Sequence, residues 1–112
     1  MKPSRGEIWM ADLEPTAGHE QGGKRPCLVL SDDTFNQGPA ELVVVLPITS
    51  RQRDVPIRVA ILPPEGGLKV ESFVMPEMVR SISTLRLFRR MGRLAPKTLA
   101  TVENHIRILL GL

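Results

Sequence analysis

Residues 18–26, Gly18-His19-Glu20-Gln21-Gly22-Gly23-Lys24-Arg25-Pro26, set an imidazole, a carboxylate and a guanidinium beside paired glycines. Such a set suits phosphate chemistry. A group titrating near neutrality can carry a proton, a carboxylate can accept one or orient a cation, and an arginine keeps its charge and can grip two phosphate oxygens at once. Gly22 and Gly23 free the backbone to turn, and the loop runs straight into Cys27-Leu28-Val29-Leu30. Arg25 therefore stands where a pliant loop meets a rigid element, which leaves its guanidinium little residual freedom. A second pair of groups, Thr49 and Ser50, ends the most apolar run of the chain and offers two hydroxyl donors; either hydroxyl could instead close an ST-turn.

The elements that must position these groups are short. Glu7–Leu13 carries a β-branched residue and an aromatic, stops before Pro15, and reads as a strand. Arg25–Ser31 is apolar almost throughout and reads as a second strand, buried on both faces. Asp32, Asp33, Asn36, Gly38 and Pro39 mark residues 32–40 as a connection. Glu41–Ile48 is a third strand, which Pro47 should end. After a polar loop at 49–56, Ile57–Leu62 alternates as a strand, and Pro63-Pro64-Glu65-Gly66-Gly67 turns the chain. Ser72–Ser83 reads as one strand bent near Pro76, and Phe88–Leu94 as a short last one. Leu99, Val102, Ile106 and Leu109 then recur at helical spacing, between Pro96 in a first turn and Gly111 as a stop. The expected fold is mainly β with a C-terminal helix: a small SH3-like barrel of five to seven strongly bent strands with mixed strand directions. His105 lies on that helix with no partner motif and reads as a peripheral residue.

At 112 residues the chain is expected to form one domain spanning 1–112. Cys27 is the only cysteine, so neither an intrachain disulfide nor a cysteine-based zinc cluster can form, which fits a reducing cytoplasm. Met1-Lys2-Pro3-Ser4-Arg5 leads into no apolar signal region, and no apolar run is long enough to cross a bilayer. A cytoplasmic protein without membrane contact is expected. The net charge of +3 is unevenly spread: residues 1–50 carry four Lys/Arg against seven Asp/Glu, and residues 51–112 carry eleven against five. Arg80, Arg86, Arg89, Arg90 and Arg93 crowd one segment, which fits bidentate phosphate contacts but also fits solvated edge-strand charges.

Arg5-Gly6-Glu7-Ile8-Trp9, Asp12-Leu13-x-Pro15, Gly18-His19-Glu20-Gln21-x-Gly23-x-Arg25-Pro26, Leu46-Pro47-Ile48-Thr49-Ser50 and Val79-Arg80-Ser81-Ile82 occur in the order found in the MazF/PemK/Kid toxins, and the chain resembles that family over nearly its whole length. The resemblance implies a homodimeric barrel acting as a sequence-selective endoribonuclease on single-stranded RNA, with no metal and no cofactor. It also implies an antitoxin partner of the MazE/PemI kind whose acidic, disordered tail covers the RNA groove. Its catalytic candidates here are Arg25, Thr49, Glu20 and His19. The candidate RNA contacts are Gln21, Ser50, Arg51, Arg53, Glu77, Arg80 and Arg86. Kid-like members carry Arg-x-Asp where this chain reads Met75-Pro76-Glu77, so the Kid acid–base pair does not transfer. Glu77 is left to read RNA or brace a loop, and the MazF-type pair of Arg25 and Thr49 is the better transfer.

Arg25 is a poor general base, so it suits charge stabilisation at phosphorus, with Thr49 as a donor opposite. Glu20 could take a proton, orient Arg25 or bond a base edge, and His19 is an alternative proton carrier. Trp9 and Phe35 could stack on bases, with core packing favoured for Trp9. Two other classes stay open: a gyrase-poisoning toxin of the CcdB kind, which shares the barrel but needs no phosphate clamp, and an RNA-binding barrel that does not cut.

Overall fold

Side chains of a strand alternate between two faces, and three neighbouring strands use that alternation to build apolar clusters on both sides of one sheet. They are β1 (Glu7–Asp12), β2 (Lys24–Val29) and β3 (Leu42–Thr49), paired antiparallel in the order β1-β2-β3. Ile8, Leu28, Leu46 and Ile48 face one cluster; Trp9, Ala11, Cys27, Val29, Val43 and Val45 face the other. β2 is buried on both faces over Cys27, Leu28 and Val29, as its apolar run implies, but Arg25 and Pro26 at its start are only partly buried and Lys24 is exposed. The computed structural model describes residues 2–20 and 22–112.

Four further strands extend this sheet: β4 (Val59–Ile61), β5 (Ser72–Val74), β6 (Arg80–Ser83) and β7 (Leu87–Arg93). β7 pairs with β1 at one edge, while β6 and β5 pair in succession along the far side of β3, and β4 pairs with β5. The sheet thus curls, and its strand pairs among the described residues are all antiparallel rather than of mixed direction as expected, because each strand turns back on a neighbour without a helical crossover. Pro47 does not end β3. It sits opposite Cys27 within the strand, which runs on to Thr49 and passes from β6 to β5 as it goes, so a missing N–H at the point of exchange costs no ladder bond.

Two other expectations change. Residues 72–83 are two strands rather than one bent strand, because Pro76 opens a 3₁₀ turn over Pro76–Met78. The 32–40 connection contains a short helix, α1 (Asp33–Asn36), whose first turn is capped by the Asp32 carboxylate accepting from the Thr34 amide at 2.9 Å.

The C-terminal helix α2 (Pro96–Leu110) ends at Gly111, which takes the left-handed conformation at φ 72°. Val102 and Ile106 join the Ile8–Leu28–Leu46 cluster, and Leu99 packs at its margin. Leu109 does not; it is 40% exposed near the end of the helix, past the reach of the sheet. The chain leaving β1 is held by side chains from β6 and from the turn that follows it. The Arg86 guanidinium donates to the Asp12 and Glu14 carbonyls, and Arg80 donates to the Leu13 carbonyl at 3.4 Å.

Candidate functional site

β2 and β3 start and stop beside one another, so Arg25 at the head of one strand and Thr49 at the tail of the other open onto the same cleft. The cleft holds about 630 Å³ and is lined by Lys24, Arg25, Thr49, Ser50, Arg51, Lys69, Arg89 and Arg90, with Ile48, Leu68, Val70 and Met91 among its apolar surfaces. Six of the lining side chains are cationic and, among the described residues, no carboxylate joins them. Like charges gathered in a shallow trough raise the local potential well above what a net charge of +3 implies.

Arg25 is half-buried and fixed at two points. Its Nε donates to the Gly22 carbonyl at 2.9 Å and its Nη1 to the Ile48 carbonyl at 3.4 Å. The remaining N–H groups of the fork are free to meet an anion in the cleft. Thr49 Oγ1 accepts from the Arg51 amide at 3.2 Å, an ST-turn that leaves its own proton to donate and sets Arg51 on the cleft wall. The turn that the sequence allowed is formed, and it does not use the hydroxyl proton. Below Arg25 lies Cys27, fully buried. Burial pushes its thiol up to about 12, against the opposing pull of Arg25 and Arg80, so it is no nucleophile for this cleft.

The opposite wall depends on a close backbone approach. Gly67, at φ 76°, and Gly92 pack the turn after Pro63-Pro64 onto β7. A Cβ on Gly67 would stand 2.2 Å from the Met91 carbonyl oxygen, and one on Gly92 would stand 2.5 Å from the Gly66 carbonyl carbon. This contact carries Lys69 and Val70 to the rim facing Arg89 and Arg90. β7 also bulges between Gly92 and Arg90, so that Arg90 rather than Met91 lies opposite Trp9. Trp9 itself is buried and belongs to the core. Phe35 is 41% exposed on α1 and lines no part of the cleft.

The remaining sequence candidates divide. Ser50 and Arg51 line the cleft with Arg25 and Thr49; Arg53 is exposed on the same loop but outside the lining. His19 and Glu20 are exposed on the β1–β2 loop and do not line the cleft, and the Glu20 carboxylate accepts from the Ala17 amide at 2.8 Å within that loop. Gln21 lies outside the described residues. Glu77 pairs with Arg58 at 2.7 Å, away from the cleft, bracing the start of β4 against the Pro76–Met78 turn. Close by, His105 Nδ1 on α2 meets the Ile57 carbonyl at 2.6 Å, which fits the peripheral role expected of it. Arg80 and Arg86 spend guanidinium bonds on the β1–β2 loop carbonyls. Lys24, Lys69, Arg89 and Arg90 are the lining cations that sequence reasoning did not select. The basic run at 86–93 pointed to two of them, but Lys69 had no local signal, because its place depends on the Gly67–Gly92 contact.

Residues 4–110 match the model of the PemK-like, MazF-like toxins of type II toxin-antitoxin systems. The endoribonuclease MazF9 of Mycobacterium tuberculosis is 36% identical over 113 residues, covering 96% of each chain. In three dimensions, MazF of Deinococcus radiodurans superposes with a TM-score of 0.87 at 32% identity, covering 100% of this chain and 99% of that one. The same organism's MazF bound to MazE gives a TM-score of 0.81 at 32% identity, covering 100% of this chain and 98% of that one.

Proposed function

The chain belongs to the PemK-like, MazF-like toxins of type II toxin-antitoxin systems, and we propose that it is the endoribonuclease of such a pair, cleaving single-stranded RNA in the Arg25–Thr49 cleft. The observation that carries this reading is the lining itself: six cations, two hydroxyl donors and no carboxylate among the described residues. That composition suits a flexible polyanion threaded past one reactive phosphate.

RNA supplies its own nucleophile. The 2′-oxygen bonds to the adjacent phosphorus as its proton leaves, the bond from phosphorus to the 5′-oxygen breaks, and that oxygen takes up a proton. The ends are a 2′,3′-cyclic phosphate and a 5′-hydroxyl, and no metal-bound nucleophile is needed. Arg25, held by Gly22 and Ile48, stabilises the extra negative charge at phosphorus, and the Thr49 hydroxyl donates to a non-bridging oxygen. Glu20 and His19, the proton-carrier candidates of the sequence, share a loop with Gly22, one of the two anchors of Arg25, but neither lines the cleft. Arg51 and Ser50 hold flanking phosphates, and Arg53 extends that contact along the strand. On the family motif alone, Gln21 is proposed to join them.

Arg25→Ala and Thr49→Ala should each slow cleavage by roughly a hundredfold or more, read as loss of 5′-hydroxyl ends in a sequenced RNA pool, with wild-type activity unchanged by EDTA. Wild-type cutting by both variants would remove the site. Binding without cutting by the wild type would favour a silent RNA-binding barrel, and a CcdB-like gyrase poison would leave RNA intact and unbound.

A cationic cleft equally suits the acidic tail of a MazE-like antitoxin, which would exclude RNA by occupying the same trough. Homodimerisation belongs to the same reading: Ile108, Leu110 and Leu112 are 63%, 54% and 86% exposed at the C-terminal end, an apolar cluster that a second copy would cover. A monomer mass by light scattering at micromolar concentration would contradict it.

A further inference from the structure

Among the described residues, Arg90 is the one cleft cation paired with a buried carboxylate. Glu7 is 7% exposed and does not line the cleft. Its Oε2 accepts from Arg90 Nε at 2.6 Å, with Arg93 Nη2 at 3.8 Å, while its Oε1 accepts from the Ser4 amide at 2.7 Å and from Trp9 Nε1 at 3.0 Å. Two hydrogen bonds thus hold the carboxylate besides the one from Arg90. The β7 bulge brings Arg90 opposite Trp9, whose indole shares that carboxylate. The contact is made through the Arg90 Nε–H, and Arg90, whose side chain is 48% exposed, also lines the cleft, which leaves terminal N–H groups of the fork without a protein partner among the described residues.

We propose that Glu7 is a positioning residue for RNA binding, which fixes the Arg90 guanidinium on the cleft wall so that its outer edge meets a backbone phosphate in one orientation. Because the cleft is the same, this rests on the RNA-binding reading above. A free arginine on an edge strand gives up rotamer entropy when it grips a phosphate; Arg90 has surrendered much of that in folding. The sign of the effect separates positioning from simple charge. Removing a carboxylate beside a cationic cleft raises the net charge by one and, on electrostatics alone, would tighten RNA binding. Loss of positioning weakens it.

Glu7→Gln keeps the shape of the side chain but turns either its amide N–H₂ toward the Arg90 and Arg93 donors or its oxygen away from Trp9 and Ser4. Arg90→Lys keeps the charge on an exposed side chain and lacks the planar fork, so it does not threaten the fold. Affinity is measured for an oligoribonucleotide made uncleavable by a 2′-deoxy substitution at the cut, with kcat measured at saturating cleavable RNA. Both variants should bind roughly five- to tenfold more weakly, with kcat nearly unchanged, and the double variant should bind no more weakly than Arg90→Lys alone. Without RNA, the Arg90 Nε–H of the wild type should exchange slowly by NMR and that of Glu7→Gln quickly. If Glu7→Gln binds as tightly as wild type or tighter, or if Arg90→Lys alone has no effect, the positioning role is overturned while the cleft remains an RNA site. Should Glu7→Gln fail to fold, Arg90→Lys decides. Failure of the wild type to bind any RNA would overturn the cleft reading, and this inference with it.

Discussion

Glu7 holds a charge where almost no water reaches it. Burial pushes its carboxyl up, but the hydrogen bonds from Arg90, the Ser4 amide and Trp9 outweigh that and hold it below its ordinary value of 4.5. A carboxylate held below its unfolded value contributes stability that is fully present above 4.5 and is lost as the pH falls through the lower folded value. Urea midpoints between neutral pH and about pH 3 should therefore fall more steeply for the wild type than for Glu7→Gln, which has no charge to lose. Parallel declines would mean that the Glu7 bonds add nothing to acid sensitivity. This residue also marks what the sequence conceals. Arg25 and Thr49 were legible because each ends a strongly apolar strand, a pattern visible along the chain. Glu7 stands in a resemblance motif without any stated role, because its partner is 83 positions away and reaches it across a strand pairing with a bulge.

At the level of elements, alternation and turn chemistry foretold most of the strands, and Pro96 and Gly111 foretold both ends of α2. Where expectation failed, proline was the reason twice, in opposite directions. Pro47 is tolerated inside β3 because the strand changes neighbours there, and Pro76 breaks a presumed single strand because a 3₁₀ turn suits its fixed φ. Neither outcome can be told from proline alone; it depends on whether a partner strand would have needed the N–H. The cleft has the same dependence, since its second wall exists only where Gly66-Gly67 lies against Met91-Gly92. Gly92→Ala would put a Cβ 2.5 Å from one backbone carbon and 2.8 Å from the Gly67 nitrogen, atoms that no rotamer can move aside. It should destabilise the fold by about 1–3 kcal/mol by chemical denaturation, and weaken RNA binding in the molecules that still fold by displacing Lys69. A variant as stable as wild type would show that the two segments separate without cost.

Over the whole molecule the charge is sorted rather than large. The net of +3 would steer a polyanion weakly, yet the curl of the sheet draws Lys24 and Arg25 from β2, Arg51 from the end of β3, Lys69 from before β5, and Arg89 and Arg90 from β7 to one trough. The asymmetry between the two halves of the sequence hinted at a basic face without locating it, for Lys24 and Arg25 come from the acidic half. Counterion release makes this sorting measurable. A single strand that neutralises Z phosphates loses affinity with salt at a slope of roughly −0.7Z on logarithmic axes. With four or five of the cleft cations on phosphates, binding of the uncleavable oligonucleotide should fall with a slope of about −3 to −3.5. Arg51→Gln, on the rim beside Thr49, should reduce the magnitude of that slope by about 0.7 and weaken binding alike for every sequence tested. Fluorescence anisotropy across a salt series checks both values. A slope near zero would mean that RNA is held by base contacts on some other face; a normal slope left untouched by Arg51→Gln would move the phosphate track away from the β3 end of the cleft.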